Sequence, residues 1–226
     1  MAGHPGLVNV QRIDDVVYLL FSPAQRLHDL PSSRISQGLK SIHMHYNTYT
    51  QICIQERRVK LPPVKQLLIV YHSQTGGTEQ MARAAASGAK QASGVGVRLE
   101  VATATGPDAL LDSDGYLFAC PENLAAMSGR MKDFFDRTYY PVLDRIQGRP
   151  YATLICAGSD GTNAARQIER IATGWRLKAI ADPLIVCTQA QAPERILAPK
   201  QIAAADLARC EELGATIAAG LDLGIY

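Results

Sequence analysis

No apolar run in this chain approaches the about 18 residues needed to cross a bilayer. The opening Met1-Ala2-Gly3-His4-Pro5-Gly6 has no basic cluster leading into an apolar stretch, so no secretory leader is read there. Cysteine is sparse: Cys53, Cys120, Cys156, Cys187 and Cys210 are odd in number and widely spaced, with no C-x-x-C. That usage argues against a disulfide framework or a zinc site, and predicts a reducing, cytoplasmic setting. Cys120, Cys156 and Cys187 each close an apolar run and read as buried small hydrophobes. Aromatics are few, with Trp175 the only tryptophan, which reads as core at a helix end. Neither sign of charge dominates, the net being +2. Residues 1–64 hold seven basic and four acidic side chains, leaving 16 against 17 in the remainder. There is no basic stripe for nucleic acid and no strongly acidic face.

Residues 1–63 show no sustained period of 2 or 3.6. Val16–Phe21 could form a short strand or helix, and Leu61-Pro62-Pro63 resembles a stiff linker. His43-x-His45 supplies two potential ligands, too few for a metal site, and Arg57-Arg58 reads as a solvated patch. From Val64 the character changes. Leu67–Tyr71, Val97–Val101, Tyr116–Cys120, Ala152–Cys156 and a fifth run within Leu177–Cys187, interrupted by Asp182-Pro183, read as strands. Helices are predicted over Glu79–Ser93, after Ser128, from Thr162, and over Pro199–Ala219, with a short helix or a turn in Gly106–Asp112. Five such units predict an α/β three-layer fold: a doubly wound, five-stranded parallel sheet in the order 2-1-3-4-5. Ligands of such sheets sit beyond the carboxyl ends of the strands.

What is present at the first of those ends is a short loop, Ser73-Gln74-Thr75-Gly76-Gly77-Thr78. Two glycines let the backbone approach an anion, three hydroxyls can donate, and the following helix start adds unpaired N–H groups. No lysine is present, so this is not the GxxxxGK[ST] nucleotide loop. A phosphate held without a lysine suggests a phosphomonoester bound as part of a larger molecule; the alternative is an ordinary strand–turn–helix corner rich in Ser, Thr and Gly. The rest of that molecule must then lie along the same edge, over Pro121-Glu122-Asn123-Leu124 and Gly158-Ser159-Asp160-Gly161.

Over residues 65–220 these three loops resemble the flavodoxin-like FMN proteins. Ser73–Thr78 matches that family's phosphate loop, T/S-x-T-G-x-T, at every fixed position. Pro121 followed by Met127–Arg137 is similar to the corresponding stretch of the NAD(P)H:quinone oxidoreductases and the NADPH-dependent FMN reductases. The resemblance implies FMN as cofactor, with Ser73, Gln74, Thr75, Gly76, Gly77 and Thr78 around its phosphate. Backbone groups of Pro121, Glu122, Asn123 and Leu124 would border the ring. The N–H groups of Gly158, Ser159, Asp160 and Gly161 would meet its pyrimidine edge. The implied activity is electron transfer from NADPH or NADH to a quinone or similar small acceptor, with no membrane insertion and with a homo-oligomer left open. Leu124-Ala125-Ala126 departs from the aromatic and Gly-Asn found there in many quinone reductases. No aromatic lies in either ring loop, which weighs against the electron-carrier alternative. The remaining alternative is a flavin-free interaction module.

Among single residues, His72 reads as a strand-end histidine bonded to backbone, and Glu122 as a solvated carboxylate. Asp160 is either a ring neighbour or the cap of a turn. The expected organisation is an extension over residues 1–63 and the FMN-type domain over 64–226. The extension is either native or translated from a start codon placed too far upstream. Intact mass of the protein made from its own locus tells these apart; a mass matching Met1 onward eliminates the second.

Overall fold

Leu67, Leu68, Ile69 and Val70 are fully buried, which requires a layer on each face of the strand they occupy. The computed structural model describes residues 64–226. The Val16–Phe21 element, the His43/His45 pair, Arg57-Arg58, Cys53 and the Leu61-Pro62-Pro63 linker lie outside the described residues, as does the 1–63 extension.

Strand β1 (Lys65–Tyr71) leads into helix α1 (Gly77–Ala89), followed by β2 (Val95–Val101) and the short α2 (Pro107–Leu111). Then come β3 (Gly115–Asn123), β4 (Ala126–Met127) and α3 (Gly129–Val142). They are followed by β5 (Pro150–Ala157), α4 (Thr162–Gly174), β6 (Lys178–Ala179) and β7 (Leu184–Cys187). The chain closes with α5 (Pro193–Leu197) and α6 (Ala204–Asp222). The sheet runs β2-β1-β3-β5, all parallel, with β6 and β7 both pairing with β5. The anticipated fifth strand is therefore two pieces, and the break falls at Asp182-Pro183, where proline cannot donate to a ladder. The antiparallel β3–β4 hairpin was not anticipated.

Alternate residues of β1 serve opposite layers. Leu68 and Val70 join Tyr116, Phe118, Phe134, Phe135, Ile168 and Trp175 beneath α3 and α4. Leu67 and Ile69 join Met81, Ala85, Leu117, Leu154 and Ile217 beneath α1 and α6. Phe118 is the hub of the first layer, its ring 5.2 Å from Phe135 and 6.3 Å from Trp175. Trp175 is fully buried and donates to the Tyr139 carbonyl at 3.1 Å, so its one polar atom is satisfied. Arg149 Nη1 ties the end of α2 to the sheet, donating to the carbonyls of Leu110 (2.8 Å) and Leu111 (3.0 Å) and to the Tyr116 hydroxyl (2.9 Å). Burial pushes that phenol up to about 12, so it stays protonated.

Two helices differ in their limits from the sequence expectation. Helix α1 starts at Gly77, two residues before Glu79, and ends at Ala89. The expected Pro199–Ala219 helix begins only at Ala204, because the amides of Lys200 and Ile202 are bonded to the Thr75 carbonyl and to Gln80 Oε1, which holds the intervening residues out of a helix. Among the described residues no helix is long and apolar enough to cross a membrane.

Helices α1 and α6 touch backbone to backbone. A Cβ at Gly214 would overlap the Ala85 carbonyl, and one at Gly88 the Glu211 carbonyl. Gly214→Val should therefore cost about 3 kcal/mol in urea unfolding, at the upper end of overpacking penalties. Gly129→Ala, where a Cβ meets nothing within 4 Å and the backbone is already helical, should cost nothing measurable. Equal effects at the two sites would contradict this packing.

Candidate functional site

The turn from β1 into α1 is made by Gly76 at φ 84°, ψ −14°, a left-handed conformation that side chains resist. The turn from β5 into α4 repeats it at Gly161, φ 91°, ψ −14°. Both turns lie at the carboxyl edge of the sheet, and the β3–β4 hairpin rises between them. Together with the segment after β7 they enclose a cleft of about 700 Å³, a volume typical of sites for small ligands.

Of the residues singled out from sequence, Ser73, Gln74, Thr75, Thr78, Pro121, Glu122, Asn123, Leu124, Gly158 and Ser159 line this cleft. The first turn of α1 leaves amides without intrahelical partners, aimed along the helix axis. Thr78 Oγ1 is buried without a hydrogen-bond partner of good geometry. Gly76 N–H is already used, donating to Ser73 Oγ at 3.1 Å. Gly77 is closely covered below: a Cβ there would lie 2.7 Å from the Cys156 Sγ. Burial raises the Cys156 thiol above its usual range, opposed by the Thr78 hydroxyl and by the charge of Lys200. It is held as a neutral packing group.

The hairpin turns at Leu124 (φ 50°) and Ala125 (φ 57°), so both central residues are left-handed, the geometry of a type I′ turn. Leu124 is fully exposed. The turn is tied to α4, with Asn163 Nδ2 donating to the Ala125 carbonyl and Met127 N–H donating to Gln167 Oε1 at 2.9 Å. Glu122 is not the solvated carboxylate expected from sequence. Its Oε2 accepts the Gly161 N–H at 2.7 Å, while its Oε1 is buried and unpartnered. Gly161 consequently has no amide to offer a ligand, a correction to its expected role as donor. Asp160 also stands aside from the cleft: its Oδ1 accepts from the amide and hydroxyl of Thr162, capping the start of α4.

His72 differs from expectation as well. Its Nδ1 pairs with the Ser128 hydroxyl at 2.8 Å, not with backbone. Burial first, and Arg130 second, lower its pKa below 6.5, so the ring is neutral near pH 7. It faces a shallow hollow of about 500 Å³ with Gln74, Asn123, Gly129, Arg130 and Asp133. Gln74 and Asn123 also line the main cleft, and Asn123 Nδ2 donates to Gln74 Oε1 at 3.2 Å.

The remaining wall was not anticipated: Thr188, Ala190, Gln191, Ile196 and Lys200. This strap is sewn to the glycine loop. Lys200 N–H donates to the Thr75 carbonyl at 2.8 Å. Gln80 Nε2 donates to the carbonyls of Gly76 (3.1 Å) and Lys200 (2.7 Å), and Gln80 Oε1 accepts the Ile202 N–H at 3.2 Å. The rule that ligands gather beyond strand ends applies to β7 as much as to β1, and would have pointed to residues 188–191. Among the described residues no group of three or more His, Cys, Asp or Glu side chains is placed to hold a metal.

Residues 102–191 match the family model described as NADPH-dependent FMN reductase. That span holds the second and third loops and the start of the strap, and excludes Ser73–Thr78. A protein of Acidithiobacillus ferrooxidans named NAD(P)H dehydrogenase (quinone) is 33% identical over 95 residues, covering 33% of this chain and 48% of that protein. A flavodoxin of Aquifex aeolicus is 30% identical over 96 residues, covering 42% and 52%. The chain thus spans about half the length of these curated relatives. Among solved structures, an archaeal flavodoxin superposes with TM-score 0.56 at 21% identity, covering 69% of this chain and 98% of its own. The flavodoxin, WrbA-like protein of Agrobacterium tumefaciens gives 0.56 at 19%, covering 70% and 98%. The fold is flavodoxin-like, and the chain resembles the FMN proteins built on it.

The hairpin turn carries a backbone cost, since neither Leu124 nor Ala125 suits left-handed φ. The double substitution L124N/A125G should raise unfolding stability by about 1 kcal/mol. Urea midpoints compare the two proteins, and an unchanged or lower midpoint would contradict the turn geometry.

Proposed function

We propose that this protein binds FMN in the cleft and acts as an FMN-dependent oxidoreductase, taking electrons from NADPH or NADH and passing them to a quinone or similar small acceptor. One observation carries the reading. Among the described residues the cleft holds two buried polar atoms without a well-formed hydrogen bond, Thr78 Oγ1 at the glycine loop, which has only the Cys156 thiol beside it, and Glu122 Oε1 at the hairpin. Buried polar groups are normally paired. A hydroxyl beside a helix start calls for an acceptor such as a phosphate oxygen, and a carboxylate oxygen calls for a donor. FMN carries both, a phosphate at one end and a ring N–H at the other. The residues present therefore fit the cofactor.

In this reading Ser73, Thr75 and Thr78 donate hydroxyls to the phosphate, with the first-turn amides of α1 from Gly77 onward, while the Gly76 amide stays on Ser73 and shapes the turn. Pro121, Asn123 and Leu124 border the ring, and Gly158 and Ser159 lie along its other margin. Glu122 accepts from the ring N–H while its second oxygen holds the third loop in place through Gly161. Bound FMN supplies hydride acceptance from the nicotinamide and delivery of two electrons to the acceptor. The exposed Leu124 side chain and the open hollow beside His72 and Arg130 leave room on the hairpin side for donor and acceptor to visit in turn. The name of the Aquifex aeolicus relative favours a carrier with the same cofactor. The cleft lining, without an aromatic side chain among the described residues, favours the enzyme.

Titration of the full chain with FMN should quench flavin fluorescence with saturation, and NADPH or NADH should then bleach the bound flavin, with colour returning on addition of a quinone. Thr78→Val should weaken FMN binding by about tenfold or more, since a hydrogen bond to a charged group contributes about 1.5–3 kcal/mol. A protein that stays colourless with excess FMN overturns the whole reading. Saturable binding without nicotinamide oxidation overturns the enzyme and leaves the carrier.

A further inference from the structure

We propose that Lys200 supplies the counter-charge that the glycine loop lacks, so that the cleft selects the phosphorylated flavin over its phosphate-free form. The inference rests on the FMN reading above and concerns a residue outside the loop, 120 positions from Gln80, which latches it there.

Three observations place Lys200 in that role. First, only two charged side chains line the cleft among the described residues, Glu122 and Lys200. They sit on different walls, the carboxylate on the hairpin and the lysine on the strap, whose backbone is bonded to the glycine loop. An elongated anion-tailed ligand is oriented by that polarity, tail toward Lys200 and ring toward Glu122. Second, the attachment is rigid. Lys200 N–H donates to Thr75 at 2.8 Å, its carbonyl accepts from Gln80 at 2.7 Å, and its Cβ lies 3.2 Å from where a Cβ on Gly77 would be. The side chain therefore starts directly beside the residue that opens α1. Third, among the described residues its ammonium is held by neutral groups only. It donates to the carbonyls of Arg195 (2.7 Å), Ile196 (2.8 Å) and Ala198 (2.6 Å), at the end of the short helix α5. These are uncharged acceptors, and a phosphate dianion is the stronger partner for an ammonium. The flexible stem lets the ammonium leave the carbonyls while the backbone stays latched. Its charge already reaches the floor of the loop, where it acts on the Cys156 thiol.

The consequence is a phosphate loop of two chain segments: hydroxyls and amides from Ser73–Thr78, and positive charge from the strap. The first segment alone recognises a phosphate by hydrogen bonding. The second makes recognition charge-dependent, and therefore sensitive to salt.

Fluorescence titrations of the full chain with FMN and with riboflavin test this, using wild type, Lys200→Met, Lys200→Gln and Lys200→Arg, each at low and high potassium chloride. The expected result is a loss of FMN affinity of about tenfold in the Met and Gln variants, with riboflavin affinity changed less than about twofold. Lys200→Arg keeps most of the FMN affinity. Wild-type FMN affinity falls with salt more steeply than that of the uncharged variants. Unchanged FMN affinity in the Met and Gln variants overturns the proposal. So does an equal loss for both flavins, which would mark Lys200 as a structural cap of α5. Wild-type binding of FMN in either of those cases leaves the cofactor reading standing; absence of binding to wild type removes both.

Discussion

The left-handed turn at Gly76 is the constraint on which the cleft depends. It reverses the chain from a buried central strand into α1 within a few residues, and leaves the start of that helix facing outward at the sheet edge. A side chain there would resist φ 84°, and a longer turn would carry the first amides away from the edge. The same turn recurs at Gly161, where a Cβ would also press on Ile185. The two turns flank β3, whose extension into the hairpin makes the cleft's central wall. Everything else is fastened to these points: the strap to Gly76 through Gln80, and Glu122 to Gly161 through its amide.

Much of this was legible in the sequence because the signals are local. Continuous apolar runs marked strands buried on both faces, and Asp182-Pro183 marked the break in the last. The glycine pair after Tyr71 placed the loop, and the strand-end rule gathered the other two loops with it. The rest depended on contacts between distant residues. Nothing near Glu122 announces that its carboxylate will bond an amide 39 positions on. Nothing near Lys200 announces that its backbone will cross Thr75. The hairpin was hidden for a different reason. Type I′ turns favour Asn-Gly, and Leu124-Ala125 contradicts that chemistry, so the fold overrides local preference there. A strained, solvent-exposed leucine at the mouth of a cleft is a feature that stability alone does not select.

The charge arrangement gives the cleft a direction. Its lining joins hydroxyls, amides and the strap lysine at the glycine loop to a carboxylate on the hairpin, between small and apolar residues and the neutral amides of Gln74, Asn123 and Gln191. Such a site discriminates by polarity as well as by shape. In the proposed reading it takes a long ligand with an anion at one tip and a hydrogen-bond donor near the other, and disfavours the reverse orientation by placing like charges together. The neutral His72–Ser128 pair and Arg130 lie outside this axis, across the Gln74–Asn123 contact, so a visiting molecule there meets the cleft contents without displacing their anchor.

The central claim is that the amides and hydroxyls of the glycine turn hold a phosphate tail. Backbone amide resonances of the full chain, followed by NMR during FMN addition, test it most directly. The account predicts that the largest shifts fall on Thr75, Gly77 and Thr78, with smaller ones at Asn123 and Gly158 from the ring. Shifts confined to the His72–Arg130 hollow or to surfaces away from the sheet edge, with the Thr75–Thr78 amides unmoved, would contradict it.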